Sequence, residues 1–211
     1  MRVALFGASG FIGTSVLDEL LDAGHQVTAL IRNPARVAER AALIVVQGDV
    51  GDPAAVARTI DGTEAVISCL GTPRNEKQPV DFLADALSSI IDAMEKFGVE
   101  RLVAISGAGI TVTGERKPFP HNAISAVVRT LAPDTVAAKQ RELAALKASS
   151  TIAWTAVRPT RVVNGSATDR PRVTVNPGQL GMRVTRGDLA RFMVGQLTDR
   201  SYIRLAPFIS S

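Results

Sequence analysis

Cysteine is almost missing from this chain. Cys69 stands alone, which excludes an intramolecular disulfide and a cysteine-based zinc cage. Two histidines, His25 and His121, leave little scope for a histidine metal site, and no metal is expected. Long apolar runs are missing too. The longest, Ala41 to Val46, has six residues, far too few to span a bilayer. The opening segment Arg2–Phe6 reads as a strand, not as a charged leader before an apolar stretch, so no secretory signal is expected. Aromatic residues make up only 4%, too few for a platform that stacks single-stranded bases. The basic residues after Ile105 are not packed in a Lys/Arg run, so nucleic acid is not an expected partner.

What is present fits a soluble cytoplasmic enzyme or binding domain. The 211 residues suit one domain, 1–211, with 46% apolar and 21% charged residues. Charge is unevenly spread. Up to Ile105 there are 9 basic and 14 acidic residues; after it, 15 and 6. A basic second part suits either an anionic small substrate or a merely solvated basic face.

Strand-like and helix-like segments alternate. Apolar runs suited to buried strands fall at Val3–Phe6, Val27–Ile31, Ala42–Val46, Ala65–Ser68, Leu102–Ile105 and Trp154–Val157. Helical spacing appears at Ile12–Ala23, Ala54–Ile60, Val80–Phe97 and Thr135–Ala148. Gly24 and Gly98 stop two of these helices. A helix at Arg186–Leu197 and a strand at Tyr202–Leu205 close the pattern. The expected fold is α/β, a Rossmann-like doubly wound parallel sheet with helices on both faces and a small C-terminal extension on the substrate side. Two stretches resist this reading. Thr111–Pro133 suggests a loop or lid with a short helix near Ala123–Leu131, and Thr160–Thr185 reads as irregular. Loops 107–133 and 160–185 are therefore expected to form the substrate side.

The first turn carries the strongest signal. The first strand runs into Gly7-Ala-Ser-Gly10-Phe-Ile-Gly13, which then opens a helix. Gly7 permits the tight turn, Gly10 lets backbone approach a pyrophosphate, and Gly13 lets the helix pack closely on the sheet. The helix amides would face the phosphates. At the end of the second strand, a carboxylate would select the free ribose hydroxyl of NAD. Here the chain reads Leu30-Ile-Arg32-Asn-Pro-Ala-Arg36. Two arginines and no acid favour a 2′-phosphate, hence NADP(H). Asp49 suits the adenine edge or a helix cap. Gly71 suggests close backbone approach at the carboxyl edge of the sheet. Cys69 reads as a small buried residue. Ser106 is placed to meet the nicotinamide or a substrate oxygen.

Gly7–Gly13, Gly48-Asp49-Val50, Ala65–Thr72, Val99–Ser106 and Trp154–Pro159 together resemble the atypical short-chain dehydrogenase/reductase superfamily. The likeness is greatest to its NAD(P)H-binding group, which contains the flavin reductase/biliverdin-IXβ reductase family and the NmrA-like proteins. It covers nearly the whole chain, including Val184–Val194. It implies that Gly7, Ser9, Gly10, Phe11, Ile12, Gly13, Arg32, Arg36, Asp49, Val50, Leu70, Gly71, Thr72, Ser106, Lys139 and Pro159 line the NADP site. Ser106 and Lys139 would serve the chemistry.

One departure bears on mechanism. The superfamily's proton donor is the tyrosine of a YxxxK motif, and the matching segment here is Thr135-Val-Ala-Ala-Lys139. Threonine is a far weaker acid than a phenol, which disfavours ordinary carbonyl-reductase, epimerase and dehydratase chemistry. A flavin or quinone accepts hydride directly, with protons from water. Biliverdin-reducing relatives place a histidine after the proline that ends the sixth strand. Arg161 occupies that position here, which argues against a tetrapyrrole and for an anionic acceptor such as FMN. The expected function is an NADPH-dependent oxidoreductase acting on a flavin, quinone or similar planar acceptor, as a monomer or homodimer. The alternatives are an NADP(H)-sensing regulator of NmrA-like type without turnover, and a biosynthetic reductase with its own specific substrate.

Overall fold

The computed structural model describes residues 1–71, 81–107, 110, 133–168, 170–176 and 180–211, with residues 133–135 described by their backbone alone. Thr72, most of the 107–133 segment and the expected short helix at Ala123–Leu131 lie outside the described residues.

Strand β1 (Arg2–Phe6) leads into helix α1 (Gly13–Asp22), then β2 (Gln26–Ile31), β3 (Leu43–Gln47), α2 (Pro53–Ile60), β4 (Ala65–Ser68), α3 (Phe82–Phe97) and β5 (Arg101–Ile105). The chain continues through α4 (Pro133–Ala148), β6 (Ala153–Pro159), β7 (Arg161–Val163), β8 (Arg172–Thr174), β9 (Arg183–Thr185), α5 (Arg186–Gly195) and β10 (Phe208–Ser210). Eight strands form one sheet in the order β3-β2-β1-β4-β5-β6-β10-β8, and β7 pairs with β9 in a separate two-stranded ribbon. All pairs in the large sheet are parallel except β10 with β8. The expected doubly wound α/β sheet is present. The strand order reverses beside β1, and in such sheets that crevice takes ligands.

Alternation along each strand divides the core in two. Ala4, Phe6, Val66, Leu102, Ala104, Trp154 and Ala156 pack against α2, α3 and α4. Val3, Leu5, Val27, Ala29, Ile67, Val103 and Val157 pack on the other face against Val16, Leu17 and Leu20 of α1 and Leu189 and Met193 of α5. Sandwiched strands lose water on both faces, which is why they read as unbroken apolar runs.

Three expectations are corrected. The expected buried strand at Ala42–Val46 is β3, the edge of the sheet, where Ile44 is 64% exposed. An apolar run alone does not separate a central strand from an edge strand. The expected strand at Tyr202–Leu205 is a turn, with Arg204 at φ 58° and a single bridge from Leu205 to Thr155. The closing strand is β10, which leaves Tyr202 packed edge-on against Phe192 at 5.9 Å. Finally, Thr160–Thr185 is not irregular throughout, because it holds β7, β8 and β9. Three-residue strands carry too little periodicity to be read from sequence.

Buried polar groups lock the C-terminal elements in place. Arg101, at the start of β5, donates to Gln196 O at 2.8 and 2.6 Å, to Ala153 O at 2.5 Å and to Thr155 Oγ1 at 2.9 Å. Desolvation pushes its guanidinium down to about 10, aided by Arg200 and opposed by Asp199. The two bonds to Gln196 O satisfy a carbonyl at the C-terminal end of α5, and the other two tie Arg101 to β6. At the other end of α5, Asp188 accepts from Thr168 N at 2.7 Å, Thr168 Oγ1 at 2.8 Å, Thr185 Oγ1 at 2.9 Å and Ser211 Oγ at 2.7 Å. Thr185 caps the helix by accepting from Asp188 N at 3.0 Å.

Candidate active site

The glycine turn shapes the floor of a cleft at the carboxyl ends of the strands. Gly7 has φ +81°, and a Cβ there would lie 2.8 Å from Cys69 O. A Cβ on Gly13 would lie 1.9 Å from Gly7 O. Neither position accepts a side chain, so the loop lies flat against the end of β4. Gly10 N donates to Gly7 O at 3.0 Å, closing the turn. No side chain caps α1, and no acidic residue sits in its first turn. The positive end of α1 therefore adjoins the cleft at Phe11 and Ile12 with no carboxylate in its first turn.

The cleft has a volume of about 660 Å3. Gly7, Ser9, Gly10, Phe11 and Ile12 line it from the loop, Arg32 and Arg36 from the segment after β2, Asp49 and Val50 after β3, and Leu70 and Gly71 after β4. Eleven of the expected cofactor residues thus meet on one surface. Gly13 lies behind it, as the first residue of α1. Phe6, Leu30, Gly48, Phe82 and Val162 also line the cleft and were not expected. Phe6 and Leu30 belong to strands and read as core. Phe82 and Val162 gave no motif, since only the fold brings α3 and β7 to the same opening.

The polar groups of the cleft are arranged as follows. Arg32 Nε lies 3.8 Å from Asp49 Oδ2, an exposed contact of small energetic weight. Asp49 Oδ1 also accepts from Gly51 N at 2.8 Å. Arg36 sits on a 3-10 turn, Pro34–Arg36, started by Asn33, whose Oδ1 accepts from Ala35 N at 3.2 Å. Among the described residues Arg36 pairs with no carboxylate. Cys69 also touches the cleft. Burial pushes its thiol up to about 12, against the pull of Lys139, so it stays protonated and non-nucleophilic.

Ser106, Lys139, Pro159 and Arg161 stand outside this lining. Ser106 N donates to Val157 O at 2.7 Å, while its buried Oγ has no partner among the described residues. An orphaned hydroxyl at the end of β5 is the kind of group a ligand atom satisfies. Lys139 is not the exposed helix lysine it might have been. It is buried, and Nζ donates to Leu70 O at 3.0 Å and Ile105 O at 2.9 Å, with Glu142 Oε2 at 2.6 Å. Glu142, which the sequence did not single out, is itself buried. Desolvation raises its carboxyl above the ordinary range, and Lys139 works against that rise. Pro159 is buried at the end of β6, and Arg161 is exposed at the start of β7.

An arginine also reaches the glycine loop from α5. Arg186 Nη1 donates to Phe11 O at 3.1 Å, and its guanidinium lies 4.9 Å from the Phe11 ring centroid. No helix among the described residues is long and apolar enough to cross a membrane.

Comparison with known proteins agrees with this geometry. A family model described as NAD(P)H-binding matches residues 7–200. Among curated proteins, a 3 beta-hydroxysteroid dehydrogenase/Delta 5-->4-isomerase of Mycobacterium tuberculosis is 28% identical over 124 residues, 54% of this chain and 34% of its own length. The chain thus spans about a third of the length of that relative. Among solved structures, ChuY, an anaerobillin reductase from Escherichia coli, is 21% identical with TM-score 0.82, covering 100% of this chain and 97% of its own. A short-chain dehydrogenase/reductase from Veillonella parvula in complex with NADP is 18% identical with TM-score 0.80, covering 100% and 94%. At these identities the two structures establish a shared fold.

Proposed function

The chain belongs to the NAD(P)H-binding family, and on that premise we propose an NADPH-dependent oxidoreductase that passes hydride directly to a flavin, quinone or similar planar acceptor. The observation that carries this reading is the cleft itself. It has an uncapped helix N-terminus and a flat glycine turn at one part, two arginines at another, and no tyrosine in its lining. The one tyrosine of the chain, Tyr202, is held against Phe192 of α5.

In this reading Gly7, Ser9, Gly10, Phe11 and Ile12 bind the pyrophosphate through backbone amides, and Gly13 keeps the helix end close. Arg32 and Arg36 grip the 2′-phosphate, with Arg36 the less encumbered of the two. Asp49 and Val50 border the adenine. Leu70, Gly71 and Pro159 border the ribose and nicotinamide. When bound, reduced nicotinamide supplies the hydride. Ser106 offers its unpartnered hydroxyl to a carboxamide or acceptor oxygen. The Lys139 ammonium donates to Leu70 O and Ile105 O and is paired with the Glu142 carboxylate at 2.6 Å. Lys139 therefore ties the chain just after β4 to the end of β5, and would serve the bound cofactor from there. With no phenol at the site, the acceptor must take its protons from water, which suits a conjugated acceptor and not an isolated carbonyl.

The test is NADPH consumption, followed by absorbance, with FMN, FAD and a panel of small quinones, NADH being run in parallel. Turnover that prefers NADPH supports the reductase. Tight NADPH binding without turnover on any acceptor assigns the chain to the sensing role instead.

A further inference from the structure

Arg186 is the first residue of α5, and the residues around it are fixed. Thr185 caps the helix, accepting from Asp188 N at 3.0 Å. Gly187 is wedged against the chain before it: its N donates to Gly165 O at 3.1 Å, and a Cβ there would lie 2.2 Å from Ala167 N. Asp188 accepts from Thr168, Thr185 and Ser211. The side chain of Arg186 therefore starts from a rigid base. It crosses from there to the glycine turn, where Nη1 donates to Phe11 O at 3.1 Å and the guanidinium lies 4.9 Å from the Phe11 ring centroid. Phe11 lines the cleft, so the contact reaches the site itself. Phe11 is 52% exposed, so its ring has little packing of its own to hold the turn. Arg186 is half-buried, and its Nε is buried with no hydrogen-bond partner among the described residues. A buried donor left unmade costs free energy, so the bond to Phe11 O and the ring contact are what hold the arginine in this pose. Among the described residues no carboxylate lies within ion-pair distance of it.

Peptide geometry gives the bond its consequence. Gly10 O and Ile12 O accept from Thr14 N and Val16 N, both at 3.1 Å, as α1 begins. Phe11 O lies between them in sequence and accepts from Arg186. In a planar trans peptide the Phe11 oxygen and the Ile12 N–H point to opposite sides. By holding the oxygen on the α5 side, Arg186 aims the Ile12 N–H away from α5. Ile12 lines the cleft, and no side chain caps α1 to fix this peptide locally. The first N–H groups of a helix have no partner within it, which is what lets them take a phosphate.

We propose that Arg186 is a positioning residue for the dinucleotide: it locks the rotation of the Phe11–Ile12 peptide, so that the Ile12 amide is set for the pyrophosphate before the nucleotide arrives. This role rests on the dinucleotide cleft of the proposed function, and it is the same for a reductase and for a sensor. Donors held in place beforehand need no ordering on binding, and losing that order shows as lost affinity. The part of the ligand concerned is the part that NADP and NAD share. Arg32 and Arg36 serve the 2′-phosphate, and Arg186 does not distinguish it.

The experiment separates the pyrophosphate from the rest of the nucleotide. Dissociation constants for NADP+, NAD+ and 2′-AMP are measured by titration calorimetry on the natural chain, on Arg186→Met and on Arg186→Lys. 2′-AMP carries the adenine, ribose and 2′-phosphate but no pyrophosphate. Arg186→Met is expected to weaken NADP+ and NAD+ by the same factor, about tenfold, and to leave 2′-AMP unchanged, which also verifies the fold. Arg186→Lys keeps a donor for Phe11 O and is expected to recover part of the loss. The factor is expected to persist in about 1 M salt, where an exposed charge acts over only about 3 Å. No loss, a loss confined to NADP+, an equal loss of 2′-AMP or a factor erased by salt each overturns the positioning role and leaves the cleft its nucleotide. Failure of the natural chain to bind either dinucleotide overturns the cofactor reading, and the positioning role with it.

Discussion

Lys139 donates to Leu70 O and Ile105 O and lies 2.6 Å from the buried Glu142 carboxylate. Its position four residues after Thr135 marked it in the sequence, but its role did not follow from that spacing. The sequence could not show that Glu142, one helical turn further on, would be buried against it. Replacing Lys139 by Met leaves Glu142 buried without its counter-charge. Such losses typically cost about 3–5 kcal/mol. The cost has a definite pH sign. Glu142 already titrates above its ordinary range, because burial disfavours its charge and Lys139 only partly offsets that. Without the lysine the carboxyl rises further, so more of the penalty falls away as acid protonates it. Urea unfolding at pH 8 and pH 5 should show the variant much weaker than the natural chain at pH 8 and closer to it at pH 5. An equal gap at both values would mean that the pair carries no such linkage. The arginines of the cleft give a second prediction at this scale. Arg36→Ala should weaken NADPH binding about tenfold while leaving NADH binding nearly unchanged, since a guanidinium–phosphate bond is lost only with the former. Titration calorimetry with both nucleotides checks it.

Helix α5 shows what the element scale adds. The helix expected at Arg186–Leu197 forms over Arg186–Gly195. Its importance lies in what its ends hold. Thr185 and Asp188 tie its start to Thr168 and Ser211, and Arg101 ties its finish to β5. Arg186, its first residue, reaches Phe11 in the glycine turn. Burial opposes ionisation of Asp188, yet the hydrogen bonds from Ser211, Thr168 and Thr185 outweigh it and hold the carboxyl below the ordinary range. A carboxyl lowered in the folded state contributes stability that is present above its unfolded value and is lost as pH falls through the folded one. Asp188→Asn should therefore lose about 1–3 kcal/mol near neutrality, with the difference shrinking in acid below the ordinary aspartate range. A thermal melt series from pH 7 to pH 3 measures this directly. The same scale explains the misread elements. Tyr202–Leu205 has the alternation of a strand, but Arg204 adopts φ 58° and donates its backbone N–H to Trp154 O at 2.6 Å. The chain turns there because β10 further on takes the place beside β6. β7, β8 and β9 went unread because strands of three residues are defined by their partners, not by their own pattern.

At the scale of the molecule, the central sheet was legible and the acceptor side was not. The central strands β1, β2, β4, β5 and β6, wrapped by helices, leave short unbroken apolar runs, and the glycine turn marks the edge expected to bind a ligand. Those constraints act within short stretches of chain, so they can be read residue by residue. The cleft also draws on Phe82 and Val162, roughly eighty residues apart in sequence, and on Arg186 behind Phe11. Such encounters depend on strand order. One consequence can be measured without knowing the acceptor. A ligand that binds only the folded chain stabilises it by mass action, about 2.7 kcal/mol at a hundredfold excess over Kd. For a chain of this length that corresponds to a rise in Tm of roughly 5–10 °C. NADP+ at such an excess should give that rise, and NAD+ at the same concentration a smaller one, because Arg32 and Arg36 meet no phosphate in it. In Arg32→Ala/Arg36→Ala the two nucleotides should give the same shift. Equal shifts in the natural chain would remove the NADP preference while leaving the dinucleotide cleft intact. No shift with either would deny the cleft its ligand.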